Sequence, residues 1–327
     1  MSELRRMAAP LLETPLVPAP RLEELKARSR KRRQRRTLRG SAIVSLVVIV
    51  VVASVLAAGS GGRSPATTAR LASYIRVGVS VPDSVLNKVG LPSFVAPPEA
   101  LQGQPALTDG GLPAVVYVGA EYCPFCAIQR WALIVALSRF GTFHNLGQAI
   151  SSSSTDLYPG LRSWSFHGSS YVSRSLRFDP AEITTSKEVV RNGDSYFTPL
   201  DKLSPLQRRA FDTYDAPPYD ATWAAGSGSV PFVDFGNRFL MQGASDPSVL
   251  EKLSLDRIAA DLSDPSSPVA QAIDGSANYI IANLCSITGF PAAVLMCSSR
   301  VVAEALRRAW NVRDKPRLPL ARPASSG

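Results

Sequence analysis

The four cysteines form a close pair, Cys123-Pro124-Phe125-Cys126, and a wider pair, Cys285 and Cys297, twelve residues apart. The close pair is the segment best suited to chemistry. It follows an apolar run, Pro113 to Gly119, that reads as a buried strand, and it opens a stretch with helical periodicity. A cysteine at a helix N-terminus faces unpaired backbone N–H groups and the positive end of the helix dipole. Both favour thiolate over thiol, and the thiolate is the nucleophile. Pro124 suits the first helical turn, where a missing N–H costs nothing. The i, i+3 spacing puts Cys126 on the helix face of Cys123, so the sulfurs can cycle between dithiol and disulfide. Cys123 is the expected attacking sulfur and Cys126 the resolving one. Pro124 and Phe125 add no charge, so the thiol pKa is expected to fall less than beside a cation. Glu121 would oppose the thiolate if its side chain pointed at it.

The elements that must position this pair follow from hydrophobic spacing. Ala127, Trp131, Ile134 and Leu137 recur every three to four residues, and Gly141 stops the helix. A second strand is expected from Phe143 to Ile150, with further strand candidates around Trp164, Phe166, Tyr171 and Val172. Leu203 to Tyr214 reads as a helix. Ser229 to Gln242 reads as a strand pair about the turn Gly236-Asn237. Helices are expected over 250–262, 269–287 and 301–310. The stretch of about 154–229 is long for a connection and too apolar for a linker, so it reads as an inserted subdomain. The order strand, cysteine-bearing helix, strand, insertion, Pro-led hairpin, helix is that of a thioredoxin-like α/β sandwich.

Oxidoreductases of that type carry a cis-proline opposite the cysteine pair, and the peptide group before it pairs with the substrate backbone. Pro231, in Ser229-Val-Pro-Phe-Val233, resembles it, which assigns Val230 and Pro231 to substrate binding. Val230 before the proline resembles the DsbA-type arrangement more than the thioredoxin type. Longer motifs are more specific. Gly119-Ala-Glu-Tyr-Cys-Pro-Phe-Cys126, Arg130 to Phe143, Ser169-Ser-Tyr171, Val230 to Asn237, and Asn278-Tyr279 leading to Cys285 and Cys297 resemble the prokaryotic Domain of Unknown Function family 929. The resemblance covers roughly residues 75–300. It implies a thioredoxin-like fold, and the family name offers no activity.

Cys285 and Cys297 flank Thr288-Gly-Phe-Pro291, a turn signal that lets the chain fold back. A structural disulfide is the plain expectation, and an electron relay to Cys123 and Cys126 is the sharper one. No metal site is expected. His144 and His167 are the only histidines, and their spacing from the close pair misses zinc-ligand patterns. They read as structural or surface residues. No P-loop or dinucleotide fingerprint is present, and no cofactor is expected. Asp179, Glu182 and Asp201 read as scattered, solvated charges. Trp131 and Trp164 read as core.

Apolar residues make up 45% of the 327 and charged residues 19%, enough for a buried core. The formal charge of +10 is concentrated at the start: residues 1–40 hold 12 Lys/Arg against 4 Asp/Glu. The remainder is nearly neutral, which argues against a nucleic-acid-binding domain. No charge occurs from Gly40 to Gly62, and Ala42 to Ala58 is apolar throughout except for Ser45 and Ser54. About 20 such residues span a bilayer. With basic residues before the span, the N-terminus is expected in the cytosol and the rest outside. A cleaved signal peptide competes, though a 41-residue preamble is long for one. All four cysteines then lie in an oxidising compartment.

The expected organisation is a basic tail (1–40), a transmembrane helix (41–60), a linker (61–72), a thioredoxin-like domain (73–310) and a disordered tail (311–327). The expected activity is membrane-anchored thiol–disulfide exchange on exported proteins, with their thiols or disulfides, a membrane redox protein and the lipid bilayer as partners. The alternative is a non-catalytic binding or assembly module with structural disulfides. An exchange enzyme should expose the Cys123 sulfur, whereas a binding module should bury a Cys123–Cys126 disulfide.

Overall fold

The computed structural model describes residues 81–311, apart from 94, 96, 153–157, 193, 217–218 and 220–228. Along the chain come α1 (Asp83–Val89), β1 (Glu99–Ala100), β2 (Thr108–Asp109), β3 (Leu112–Gly119) and α2 (Pro124–Leu137). Six further strands follow: β4 (Gly141–His144), β5 (Gly147–Ile150), β6 (Arg162–Ser165), β7 (Ser170–Ser173), β8 (Arg177–Glu182) and β9 (Thr184–Arg191). Then come β10 (Asp194–Pro199), α3 (Pro205–Tyr214), β11 (Phe232–Phe235) and β12 (Phe239–Gln242). Three helices close the described chain: α4 (Leu255–Asp261), α5 (Pro268–Ile287) and α6 (Arg300–Asn311).

The architecture is mixed α/β. A mixed sheet runs β1-β12-β11-β3-β2, and β8 also pairs with β3, in parallel. β11 is antiparallel to β3 and β12 antiparallel to β11. Both faces of β3 are covered, which is why it reads as a continuous apolar run rather than an alternating one. Val115 and Tyr117 enter the core shared with α2 and α5. Ala114, Val116 and Val118 enter a second core with Ala210, Phe211 and Tyr214 of α3. Phe232 and Leu240 join the second core, whereas Val233, Phe235, Phe239 and Met241 join the first. The period of two along β3, β11 and β12 thus sorts side chains between two apolar layers.

α2 is buried along nearly its whole length, because apolar residues surround it. α5 lies against it and is also almost wholly buried. Gly275 in α5 permits a close approach: a Cβ there would meet Pro92 Cδ at 2.7 Å. Asn278 caps the end of α1, its Nδ2 donating to the carbonyls of Leu86 and Gly90 at 2.9 and 2.7 Å. The β11–β12 turn is Gly236-Asn237, with φ of 65° and 55°. Gly and Asn tolerate that left-handed backbone best.

Two expectations are revised. The stretch read as a single insertion, 154–229, contributes β8 to the central sheet, in register from Ala114↔Arg177 to Gly119↔Glu182. Phe143 to Ile150 is not one sheet strand but β4 and β5, each in its own two-stranded ribbon with β7 and β6. Asn145, with φ of 57°, divides the segment, and its polar positions suit a ribbon facing water. Trp131 and Trp164 are core, meeting edge to face at 5.2 Å.

The basic tail, the expected membrane helix over 41–60 and the linker lie outside the described residues, as does 312–327 of the expected C-terminal tail. Among the described residues no helix is long and apolar enough to cross a membrane.

Candidate functional site

β3 ends at Gly119, and the chain reaches α2 through Ala120-Glu-Tyr122. Backbone bonds pin this turn from several sides. Ile183 N–H donates to Gly119 O at 2.8 Å, Glu121 N–H to Thr184 O at 2.9 Å, and Ser152 N–H to Tyr122 O at 2.9 Å. Cys123 is the residue that caps α2, in extended backbone with φ −76° and ψ 124°. Its sulfur therefore turns back over the first helical turn and accepts the Cys126 N–H at 3.3 Å. Pro124 occupies the first helical position. The helix end thus satisfies one of its own orphan donors with sulfur, where a Ser or Asp oxygen is usual.

Both thiols are free, with no bond between them. The Cys123 thiol donates to the Val230 carbonyl at 3.7 Å, and the Val230–Pro231 peptide bond is cis. The structure therefore brings together Cys123, Cys126 and Val230. Exposure corrects one expectation: Cys123 is only 6% exposed. Tyr122, Ile183 and Val230 pack against the two cysteines and Ala120. Phe125, between the cysteines, is 40% exposed and meets Tyr158 edge to face.

The electrostatics of the two sulfurs diverge. The Cys123 thiol is held below its ordinary range, chiefly by hydrogen bonding with the Cys126 side chain. Burial opposes that effect, while the Cys126 N–H and the Arg130 charge assist it. Cys126 is pushed up, first by burial and then by its pairing with Cys123. One thiol is thus prepared to ionise and the other to keep its proton. Glu121 does not face the sulfur, since its carboxylate accepts the Ser165 hydroxyl at 2.6 Å.

A second layer was not anticipated. Arg130 and Glu182 form a fully buried ion pair, Nη1 to Oε2 at 3.0 Å. Nη1 also donates to the Ala120 carbonyl at 3.2 Å. Glu182, read from sequence as solvated, is therefore corrected to the interior. Burial pushes its carboxyl up to about 7, against the Arg130 charge. Asp179 is also engaged, accepting Ser204 Oγ and Gln207 Nε2 at the start of α3. Asp201 accepts the Glu182 N–H at 2.9 Å and contacts His167 Nδ1 at 2.6 Å. The signal for the buried pair was Arg130 itself: a lone charge in an apolar helix requires a partner. The β9–β10 hairpin was missed as well. Its Phe197 stacks on Tyr122 with ring centroids 4.1 Å apart, so the hairpin forms one wall beside the pair.

Cys285 and Cys297 are joined by a disulfide, with Cα atoms 5.5 Å apart. It ties the last turn of α5 to the short 3-10 turn Leu295–Ser298. Among the described residues, no group of three or more His, Cys, Asp or Glu side chains is placed to hold a metal ion.

Residues 101–196 match the family model described as Domain of unknown function (DUF929). The matched stretch contains Cys123, Cys126, Arg130 and Glu182, while Val230, Pro231, Cys285 and Cys297 lie beyond it. Among curated proteins and solved structures no significant match is found.

Proposed function

We propose, for a chain whose residues 101–196 match the family model described as Domain of unknown function (DUF929), that the Cys123–Cys126 pair performs thiol–disulfide exchange. The observation that carries this reading is the sulfur geometry at the start of α2. Cys123 caps the helix, receives the Cys126 N–H, and lies 3.7 Å from the Val230 carbonyl. A thiolate there is favoured by the helix end and by Arg130. Cys126, one turn further in, supplies the resolving thiol.

The domain on this reading is thioredoxin-like. Support comes from the parallel pair β3 and β8, joined through α2 and the ribbon strands β4 to β7, with β11 and β12 added antiparallel. Substrates are exported proteins carrying thiols or disulfides. The Val230 carbonyl would align their backbone beside Cys123. The chain would be held at the membrane by the apolar segment 42–58, its C-terminal domain outside the cytosol. A membrane redox protein would restore the pair. The near burial of Cys123 is shared with the alternative, a binding module with a fixed Cys123–Cys126 disulfide; the capping of α2 by Cys123 and its contact with the Val230 carbonyl favour exchange.

The test is equilibration of the full chain with glutathione buffers, with alkylated Cys123 and Cys126 quantified by mass spectrometry. Exchange within about −120 to −270 mV, the range of known catalysts, is expected. A pair that stays oxidised below about −300 mV, or never reacts, overturns the reading in favour of the binding module.

A further inference from the structure

Cys126 and Arg130 are four residues apart on α2, and Cys123 is seven from Arg130, so all three share one helix face. That face lies over the ends of β3 and β8. Gly119 and Glu182 are register partners at those ends. Tyr117, two residues before Gly119, points to the same side. Its hydroxyl lies over Gly119 so closely that a Cβ there would sit 2.0 Å from it. Cys126, Arg130, Glu182 and Tyr117 therefore converge on one dry pocket beneath the exchanging pair, and all four are without measurable exposure.

The hydrogen bonding there is incomplete in one particular way. Arg130 spends Nη1 on Glu182 and Ala120, while Nε and Nη2 have no partner among the described residues. The Tyr117 hydroxyl has none either. Leaving two guanidinium nitrogens bare in a dry interior is costly unless another state of the protein uses them. The dithiol–disulfide cycle contains such a state, because the dithiol carries a negative charge on Cys123, hydrogen-bonded to Cys126, that the disulfide lacks. Arg130 favours the charged form of both cysteines, while Glu182 disfavours that of Cys126.

We propose that Arg130, held by Glu182, is a positioning residue for the exchange: its guanidinium stabilises the negative charge that the dithiol carries on the Cys123 sulfur and shares with Cys126, and thereby sets the reduction potential of the pair. This rests on the thiol–disulfide reading above. In the reductive direction the Cys123 thiolate attacks a substrate disulfide. A new S–S bond forms, the substrate's own breaks, and one substrate sulfur leaves as thiolate. Cys126 then loses its proton, attacks Cys123 Sγ and releases the second substrate sulfur as thiolate. Two electrons pass to the substrate, and the Cys126 proton ends on a released thiolate. Oxidation of a substrate dithiol runs the same steps backward. Arg130 stabilises the charged dithiol over the neutral disulfide, and Glu182 tempers that stabilisation by competing for the guanidinium.

Opposite signs follow for two substitutions. Glu182→Gln keeps the shape and removes the competing charge, so the full chain should shift toward the dithiol in glutathione buffers. Arg130→Met with Glu182→Gln removes both charges and should shift it toward the disulfide by about tenfold, about 30 mV for this two-electron couple. A merely structural role would move both variants the same way. Equal signs, or values within about twofold of wild type, overturn the proposal. If the double variant does not fold, Glu182→Gln alone decides: a shift toward disulfide, or none, refutes it. A wild-type chain that never equilibrates refutes the exchange reading itself and this inference with it. A wild type that equilibrates beside unmoved variants refutes only the role of Arg130.

Discussion

The chain places one cysteine pair at the beginning of a buried helix and the other at the end of one. Cys123 precedes α2, where orphan N–H groups point at its sulfur. Cys285 lies in the last turn of α5, where orphan carbonyls gather and the dipole is negative. A thiolate is favoured at the first place and disfavoured at the second. The spacing agrees: i, i+3 keeps Cys123 and Cys126 on one helix, free to open and close without moving the backbone. The twelve-residue link between Cys285 and Cys297 closes a turn and cross-links two elements. Identical side chains thus acquire different chemistry from the helix end they occupy.

The strongest way to break this comparison is to disable each pair in turn. Cys123→Ser should lower exchange with a disulfide-bearing peptide by about three orders of magnitude or more, with little loss of stability. The double change Cys285→Ala and Cys297→Ala should do the reverse. Exchange stays near wild type, and stability falls by about 3 kcal/mol in the chain-entropy model of loop closure. Urea unfolding and peptide turnover measured on both variants settle it. Loss of turnover in the second variant would make Cys285–Cys297 an electron relay.

The pH dependence of stability sharpens it next. Three buried carboxyls are pushed up by burial: Glu182 to about 7, Asp234 to about 7 and Asp274 to about 8. Their unfolded values lie near 4. A folded-state pKa above the unfolded one means that the folded protein binds more protons. The stabilisation is complete below about pH 4 and lost as pH rises through about 7 to 8. The urea midpoint should therefore be higher at pH 5.5 than at pH 8, with a slope of at most about 1.4 kcal/mol per pH unit for each group. Glu182 lies under the first pair, whereas Asp274 sits on α5, the helix of the second. Asp274→Asn should flatten the profile and leave exchange unchanged. A flat wild-type profile would mean that the three groups are charged in the folded state with no penalty.

What was legible in the sequence follows the same physics. β3, α2, α5 and the β11–β12 turn were readable because each is written in one strong signal: an apolar run, a long apolar helix or Gly-Asn. Cys123, Cys126 and Val230 were legible because the cysteine spacing and the Val-Pro step are local patterns, and the fold brings them together. β8 escaped because Arg177-Phe-Asp-Pro-Ala-Glu182 looks like a polar loop with a proline. Its Asp and Glu are satisfied by Ser204, Gln207 and Arg130, partners that no period in the sequence can display. The β9–β10 hairpin, rich in Thr, Ser, Lys and Glu, gave no apolar alternation to read. Sequence pattern reports which faces are dry, whereas pairing between distant charges emerges only when the chain is folded.

The smallest expected effect concerns the aromatic residue beside each pair. Phe125 is 40% exposed next to Cys123, and Phe290 is 49% exposed five residues after Cys285. Neither is core, so Phe125→Ala and Phe290→Ala should each change stability by no more than about 0.5 kcal/mol. Their effects on exchange should differ. Cys123 is almost covered, whereas Phe125, two residues along the chain, is an exposed apolar ring. An exposed ring there offers apolar contact to an unfolded chain, and glutathione is too small to use it. Phe125→Ala should therefore slow exchange with a disulfide-bearing protein by about threefold, roughly the loss of half a kcal/mol or more of contact, while glutathione exchange is unchanged. Phe290→Ala should alter neither rate. Equal slowing by both variants would mean that substrates reach across the second pair too, and the division of labour between the two helix ends would fail.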